Sequence, residues 1–142
     1  MSCDRRTFVR AAGLGVVAVA LPGCASVAAV RVPRAGGAVR ISLAEHPTLS
    51  RPDGMLKIVP EGFTTPVFIV AAAGGFVALS AVCQHLGCIV NARGDRFVCP
   101  CHGSTYGRDG RVLRGPTLRP LVRYPVERPG PDELVIRVGE AQ

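Results

Sequence analysis

Tryptophan is absent from this chain of 142 residues, and lysine occurs once, at Lys57. Aromatic residues make up only 5 % of it, as five phenylalanines and two tyrosines. The formal charge of +7, carried almost wholly by arginine, invites a nucleic-acid reading. No basic groove interleaved with aromatics appears, however, and nucleic-acid modules need such a footprint. Nucleic acid is therefore set aside as a partner. An acidic redox protein, anionic lipid or a plainly solvated surface would each suit the arginines. Long helical patterns are also missing after residue 30. With 17 glycines and 12 prolines the chain favours short strands joined by turns, and its length suits one domain.

Metal-seeking side chains, by contrast, are concentrated. Cys83 to Cys88 reads C-Q-H-L-G-C, and Cys99 to Tyr106 reads C-P-C-H-G-S-T-Y. Four of the six cysteines and two of the three histidines lie in this one stretch. Soft donors in two tight clusters are what a metal centre requires. Three readings compete. Zinc takes four ligands on paired arms, but the first arm here is Cys83-x-His85, and two cysteines are left over. Disulfides alone leave His85 and His102 without a reason and crowd Cys99 against Cys101. An iron–sulfur cluster uses one Cys and one His from each loop, and the two remaining cysteines can face each other across the loops.

The motif C-x-H-L-G-C followed by C-P-C-H-G-S-x-Y resembles that of the Rieske [2Fe–2S] proteins, in detail over roughly residues 65 to 125. The resemblance implies that Cys83 and Cys99 bind one iron, that His85 and His102 bind the other, and that Cys88 and Cys101 form a disulfide. It also implies that Ser104 and Tyr106 donate hydroxyl hydrogen bonds to a bridging sulfide and to the Cys83 sulfur. Gly115-Pro116, within G-P-T-L-R-P-L, is similar to the loop that covers the cluster. Exchanging two thiolates for neutral imidazoles removes negative charge and raises the reduction potential, into the range of about −150 to +300 mV. Hydrogen bonds to the sulfurs stabilise the extra electron and push it higher. The disulfide cysteines and the hydroxyls argue for the high-potential type and against the ferredoxins of ring-hydroxylating oxygenases.

The rest of the chain supplies an address. Arg5-Arg6-Thr7-Phe8-Val9-Arg10 resembles a twin-arginine export signal, and Ala11 to Val30 carries no charge. That route exports folded, cofactor-loaded proteins, and a Cys88–Cys101 disulfide suits an oxidising destination. Residues 1–30 are thus expected to be a signal or anchor. Leu21-Pro22-Gly23-Cys24 resembles a lipoprotein box, with Cys24 the candidate for lipidation. An uncleaved helix spanning a core of about 30 Å, or simple cleavage after Ala28, are the alternatives. Residues 31–38 read as a flexible tether, and residues 39–142 as the domain. Short apolar runs at Val39–Leu43, Leu56–Val59, Val67–Ala71, Phe76–Val82, Arg96–Val98, Arg111–Leu113, Leu121–Val126 and Glu133–Val138 predict an all-β body of roughly nine strands. Such a body resembles the Rieske architecture, an antiparallel sandwich or barrel with a small cluster-bearing tip.

A cluster of this type moves one electron and makes no bonds in a substrate. The chain is therefore expected to be an electron-transfer subunit and not a catalyst alone. The resemblance implies quinol bound at His85 and His102, a quinol-oxidising cytochrome b partner, a c-type cytochrome acceptor, and membrane attachment through the N-terminus on the outer face. The small Rieske subunit of a periplasmic oxidoreductase such as arsenite oxidase is a second expectation. A zinc-stabilised binding module is a third.

Overall fold

The computed structural model describes residues 27–139, almost entirely as strands and turns. Twelve strands occur among these residues: β1 (Ala29–Val32), β2 (Val39–Ser42), β3 (Met55–Pro60), β4 (Val67–Ala72), β5 (Gly75–Ser80), β6 (Asn91–Arg93), β7 (Arg96–Val98), β8 (Thr105–Gly107), β9 (Val112–Arg114), β10 (Arg123–Tyr124), β11 (Val126–Gly130) and β12 (Glu133–Ile136). A 3-10 turn covers Pro47–Ser50. The strands form three sheets, ordered β1-β3-β4-β5-β10, β11-β12-β2 and β6-β7-β8-β9. The third sheet is inserted between β5 and β10 and carries both motif loops. All-β character and the division into a larger base and a smaller tip are as expected.

Side-chain pattern explains the layering. Strand β3 reads M-L-K-I-V-P, with Leu56, Ile58 and Pro60 buried and their neighbours half-exposed. Such alternation marks a strand covered on one face. Strand β4 reads V-F-I-V-A-A and is buried over its first five residues. Val67 and Ile69 join the base core with Val39, Ile41, Ile58, Leu134 and Ile136. Phe68 and Val70 point the other way, into a second core with Leu79, Phe97, Tyr106 and Leu121. A strand sandwiched between two cores must be apolar at every position, which is why its period-two signal vanishes. Phe68 and Phe97 stack across the junction at 4.7 Å between ring centroids, tilted by 38°. Arg108 ties the same junction from outside: its guanidinium donates to the carbonyls of Asp53 at 2.8 Å and Gly54 at 3.1 Å.

Several expectations differ from the structure. The stretch read as a flexible tether, residues 31–38, is attached to the base. Ala29–Val32 pairs with β3 in parallel register, so the base is not purely antiparallel. Val32 is buried in the base core, its carbonyl accepts from the Glu61 N–H at 2.9 Å, and Arg34 lies over the Phe63 ring. The unpaired edge of β3 offered hydrogen bonds that a sequence of Arg, Pro and Gly does not advertise. The run Leu121–Val126 divides into β10 and the start of β11, since Pro125 cannot donate to a ladder. Strand β11 then runs through Arg128-Pro129-Gly130, and only Pro131-Asp132 separates it from β12. The export motif and Cys24 lie outside the described residues. Within those residues no helix is long and apolar enough to cross a membrane.

Candidate metal centre

The two motif loops have the same backbone construction. In the first, the Cys83 N–H donates to the Cys88 carbonyl at 2.8 Å and the Gly87 N–H returns to the Cys83 carbonyl at 3.0 Å. In the second, the Cys99 N–H donates to the Ser104 carbonyl at 2.8 Å and the Gly103 N–H returns to the Cys99 carbonyl at 3.1 Å. Each turn closes only because its glycine adopts a left-handed conformation, with φ of 80° at Gly87 and 76° at Gly103. The shared C-x-x-x-G spacing is the sequence trace of this shared turn. The loops are held together by the Cys88–Cys101 disulfide, S–S 2.03 Å, as the resemblance implied.

Four side chains of the two loops are the candidate ligands. Cys83 and Cys99 are free thiols, each 2 % exposed. The sulfurs of Cys88, Cys99 and Cys101 lie within 4.8 Å of one another. Two of these three are consumed by the disulfide, so Cys99 alone keeps a sulfur free to ligate there. The rings of His85 and His102 meet edge to face at 5.0 Å between centroids. Nδ1 of His85 is buried without a hydrogen-bond partner among the described residues, a costly state that a bound metal relieves. Paired thiols on the dry side and paired imidazoles on the wet side fit a mixed sulfur and nitrogen ligand set.

The surrounding groups favour charge on sulfur. The Tyr106 hydroxyl, fully buried, accepts from the Gln84 N–H at 3.1 Å and lies 3.2 Å from Cys83 Sγ. With its lone pair engaged by that N–H, its own proton is free for the sulfur. Burial pushes the Cys83 thiol up, yet hydrogen bonds from Tyr106, the His85 backbone, Cys99 and Ser104 together outweigh it and hold the thiol below its ordinary value. Burial, followed by the hydrogen bond to Cys83, pushes the Tyr106 phenol up, which keeps it a donor. Ser104 Oγ accepts from the Thr117 N–H at 3.1 Å, so its hydroxyl proton is likewise free to donate.

Thr117 is the residue that motif reasoning missed. It is buried, fastens the loop of Gly115 and Pro116 to Ser104 through its N–H, and braces that loop through Oγ1 against the Arg119 backbone. A polar residue just after Gly-Pro was its only signal. Beyond it, Leu118 is 93 % exposed, and Leu86 in the first loop is 69 % exposed. Leu86 follows His85 directly, so a bare leucine adjoins the imidazole end of the site.

A family model described as the Rieske [2Fe-2S] domain matches residues 41–125. The cytochrome b6-f complex iron-sulfur subunit of Chlorobaculum tepidum is 39 % identical over 87 residues, covering 60 % of this chain and 48 % of that protein. The cytochrome b6-f complex iron-sulfur subunit 2 of Synechocystis is 41 % identical over 76 residues, covering 50 % of this chain and 42 % of that one. The chain therefore spans about half the length of the curated relatives it matches. Among solved structures, the cyanobacterial plasma membrane Rieske protein PetC3 from Synechocystis PCC 6803 superposes with a TM-score of 0.52 at 29 % identity, over 69 % of this chain and 97 % of that chain. A matched family model over more than half of the sequence and two loops bearing buried thiols and adjoining imidazoles agree on one assignment: the chain belongs to the Rieske [2Fe-2S] domain family, and its cofactor is a [2Fe-2S] cluster.

Proposed function

We propose that this chain is a one-electron carrier held at the outer face of a bacterial inner membrane, taking electrons from a quinol-oxidising cytochrome b partner and delivering them to a c-type cytochrome. Cys83 and Cys99 hold one iron, and His85 and His102 hold the other. The observation that carries this reading is the pairing of two buried free thiols with two imidazoles at the open end, one of them with an orphaned Nδ1. When bound, the cluster accepts and returns a single electron. His85 would offer its buried Nδ1 to iron and leave Nε2 at the open end of the site. With Nε2 unprotonated, a quinol hydroxyl would donate its hydrogen bond there, and its proton would pass to Nε2 as its electron passes to the oxidised cluster. Tyr106 and Ser104 hold their hydroxyl protons toward the sulfurs and favour the reduced charge. The loop of Gly115 and Pro116 excludes water from one side. The relatives' cytochrome b6-f names support the b-type partner. The Arg5-Arg6 motif supports export by the twin-arginine route, and Cys24 supports a lipid tether.

The test uses the full chain, purified anaerobically. It should contain two irons and two acid-labile sulfides, and its reduced EPR spectrum should show a low average g-value. Its midpoint potential should fall as pH rises through the neutral to alkaline range. A colourless, iron-free preparation, or a midpoint indifferent to pH, defeats the reading.

A further inference from the structure

The outer face of the cluster-bearing sheet is cationic, and nothing in the metal site requires it to be. Rows across β6-β7-β8-β9 alternate by register. Ala92, Phe97, Tyr106 and Val112 form one row and pack into the second core. The rows on either side face outward. One is Asn91, Val98, Thr105 and Arg114; the other is Arg93, Arg96 and Gly107. Gly107 leaves room that the paired Asp109 and Arg111 side chains use: a Cβ on Gly107 would meet Asp109 Oδ1 at 2.8 Å and Arg111 Cγ at 3.5 Å. Four guanidinium groups thus cover one small sheet. Asp95 pairs with Arg96 and Asp109 with Arg111. Among the described residues, Arg93 and Arg114 have no ion-pair partner. Arg114 ends the row nearest the covering loop, and Arg119 extends the charge along that loop beside the bare Leu118.

We infer that this face recognises an acidic protein electron carrier and steers it toward the histidine end. The inference rests on the electron-carrier reading above and adds the partner's charge. Two free arginines, Arg114 at the loop end of this face and Arg93 at the β6–β7 turn, attract carboxylates over a Debye length and can grip them bidentately. A protein surface, unlike a membrane, can pattern its charges around Asp95 and Asp109. An anionic bilayer rewards unbroken basic clusters, which these two carboxylates interrupt.

Two measurements on the full chain decide it. First, the paramagnetic hexacyanochromate(III) ion is titrated against the isotopically labelled protein. Amides of Arg93, Arg96, Thr105 and Arg114 should broaden selectively, with or without cluster; uniform broadening, or broadening centred elsewhere, overturns the proposal. Second, association with an acidic c-type cytochrome is compared at about 10 mM and about 100 mM salt, where the screening length falls roughly threefold. Wild type should bind about 10-fold to 100-fold more weakly at the higher salt. The double variant Arg93→Glu/Arg114→Glu should bind at the weak level throughout with its EPR spectrum unchanged, and Arg93→Lys/Arg114→Lys should retain most of the salt-sensitive binding. Equal binding by the charge-reversed variant, preference for a basic c-type cytochrome, or association only with phosphatidylglycerol vesicles overturns it. Failure of cluster loading defeats the electron-carrier reading while the anion map still judges the face.

Discussion

Tyr106 shows how much one atom can contribute. Its hydroxyl receives the Gln84 N–H and faces the Cys83 sulfur, so the phenol ring serves packing and the oxygen serves charge. Tyr106→Phe keeps the ring in the second core and deletes only the oxygen. A hydrogen bond to a charged sulfur that strengthens on reduction contributes about 1.4 kcal/mol, which for one electron is about 59 mV. The variant should therefore fold with a midpoint potential lower by about 60 mV in a redox titration. An unchanged potential would mean that the oxygen only braces the first loop. Motif spacing indicated Tyr106 and Ser104, because both follow Cys99 closely. It could not indicate Thr117, whose contact with Ser104 spans 13 residues and depends on the fold of the intervening hairpin.

At the scale of elements, β4 and β7 decide how the tip sits on the base. Phe97 of β7 is fully buried against Phe68 of β4. Phe97→Ala should cost about 3–5 kcal/mol in urea unfolding. By comparison Arg40→Ala, which breaks an exposed 2.7 Å ion pair between β2 and β12, should cost at most about 1 kcal/mol. Comparable losses for the two would contradict the two-core description. The ion pair between Glu127 of β11 and Arg137, the residue after β12, adds a pH signature. Hydrogen bonding from Arg137, and its charge, hold the Glu127 carboxyl below its ordinary value. A depressed folded value gives a contribution that is complete above the unfolded value and fades as pH falls through the folded one. Glu127 is exposed, so the effect is small. Acid urea melts should show a slightly shallower loss of stability for Glu127→Gln than for wild type, and parallel curves would remove Glu127 from the account. Strands β3 and β4 were both legible as apolar runs. That β4 is covered twice was readable only from its lack of alternation. Strand β1 was not legible, because an edge of β3 and not its own composition recruits it.

Across the whole molecule, the base core contains none of the cluster-site residues, whereas the second core includes Cys83, Cys99 and Tyr106. Removing iron should thus loosen one end of the protein and spare the other. Hydrogen exchange on acid-stripped, neutralised protein should show lost protection at the amides of Cys83, Gly87, Cys99 and Gly103, while β3, β4 and β12 stay protected. Simultaneous loss in both regions would show that the cluster holds the entire fold. The Cys88–Cys101 link closes a short loop, and such links commonly contribute about 2–4 kcal/mol. It should keep the stripped loops near each other and the site ready for reloading, a point that exchange with and without reductant resolves.

What the amino-acid sequence determined by itself was the chemistry: thiols and imidazoles gathered on two short motifs, and a body built of short strands. These depend on residue type and close spacing, and both are local. Tertiary structure alone decided the rest. It buried Nδ1 of His85, set Thr117 under Ser104, drew residues 29–32 onto the sheet, and lined up arginines from β6, β7 and β9 on one face. Each of these joins groups far apart along the chain, and only strand register and the packing of two cores bring such groups within reach.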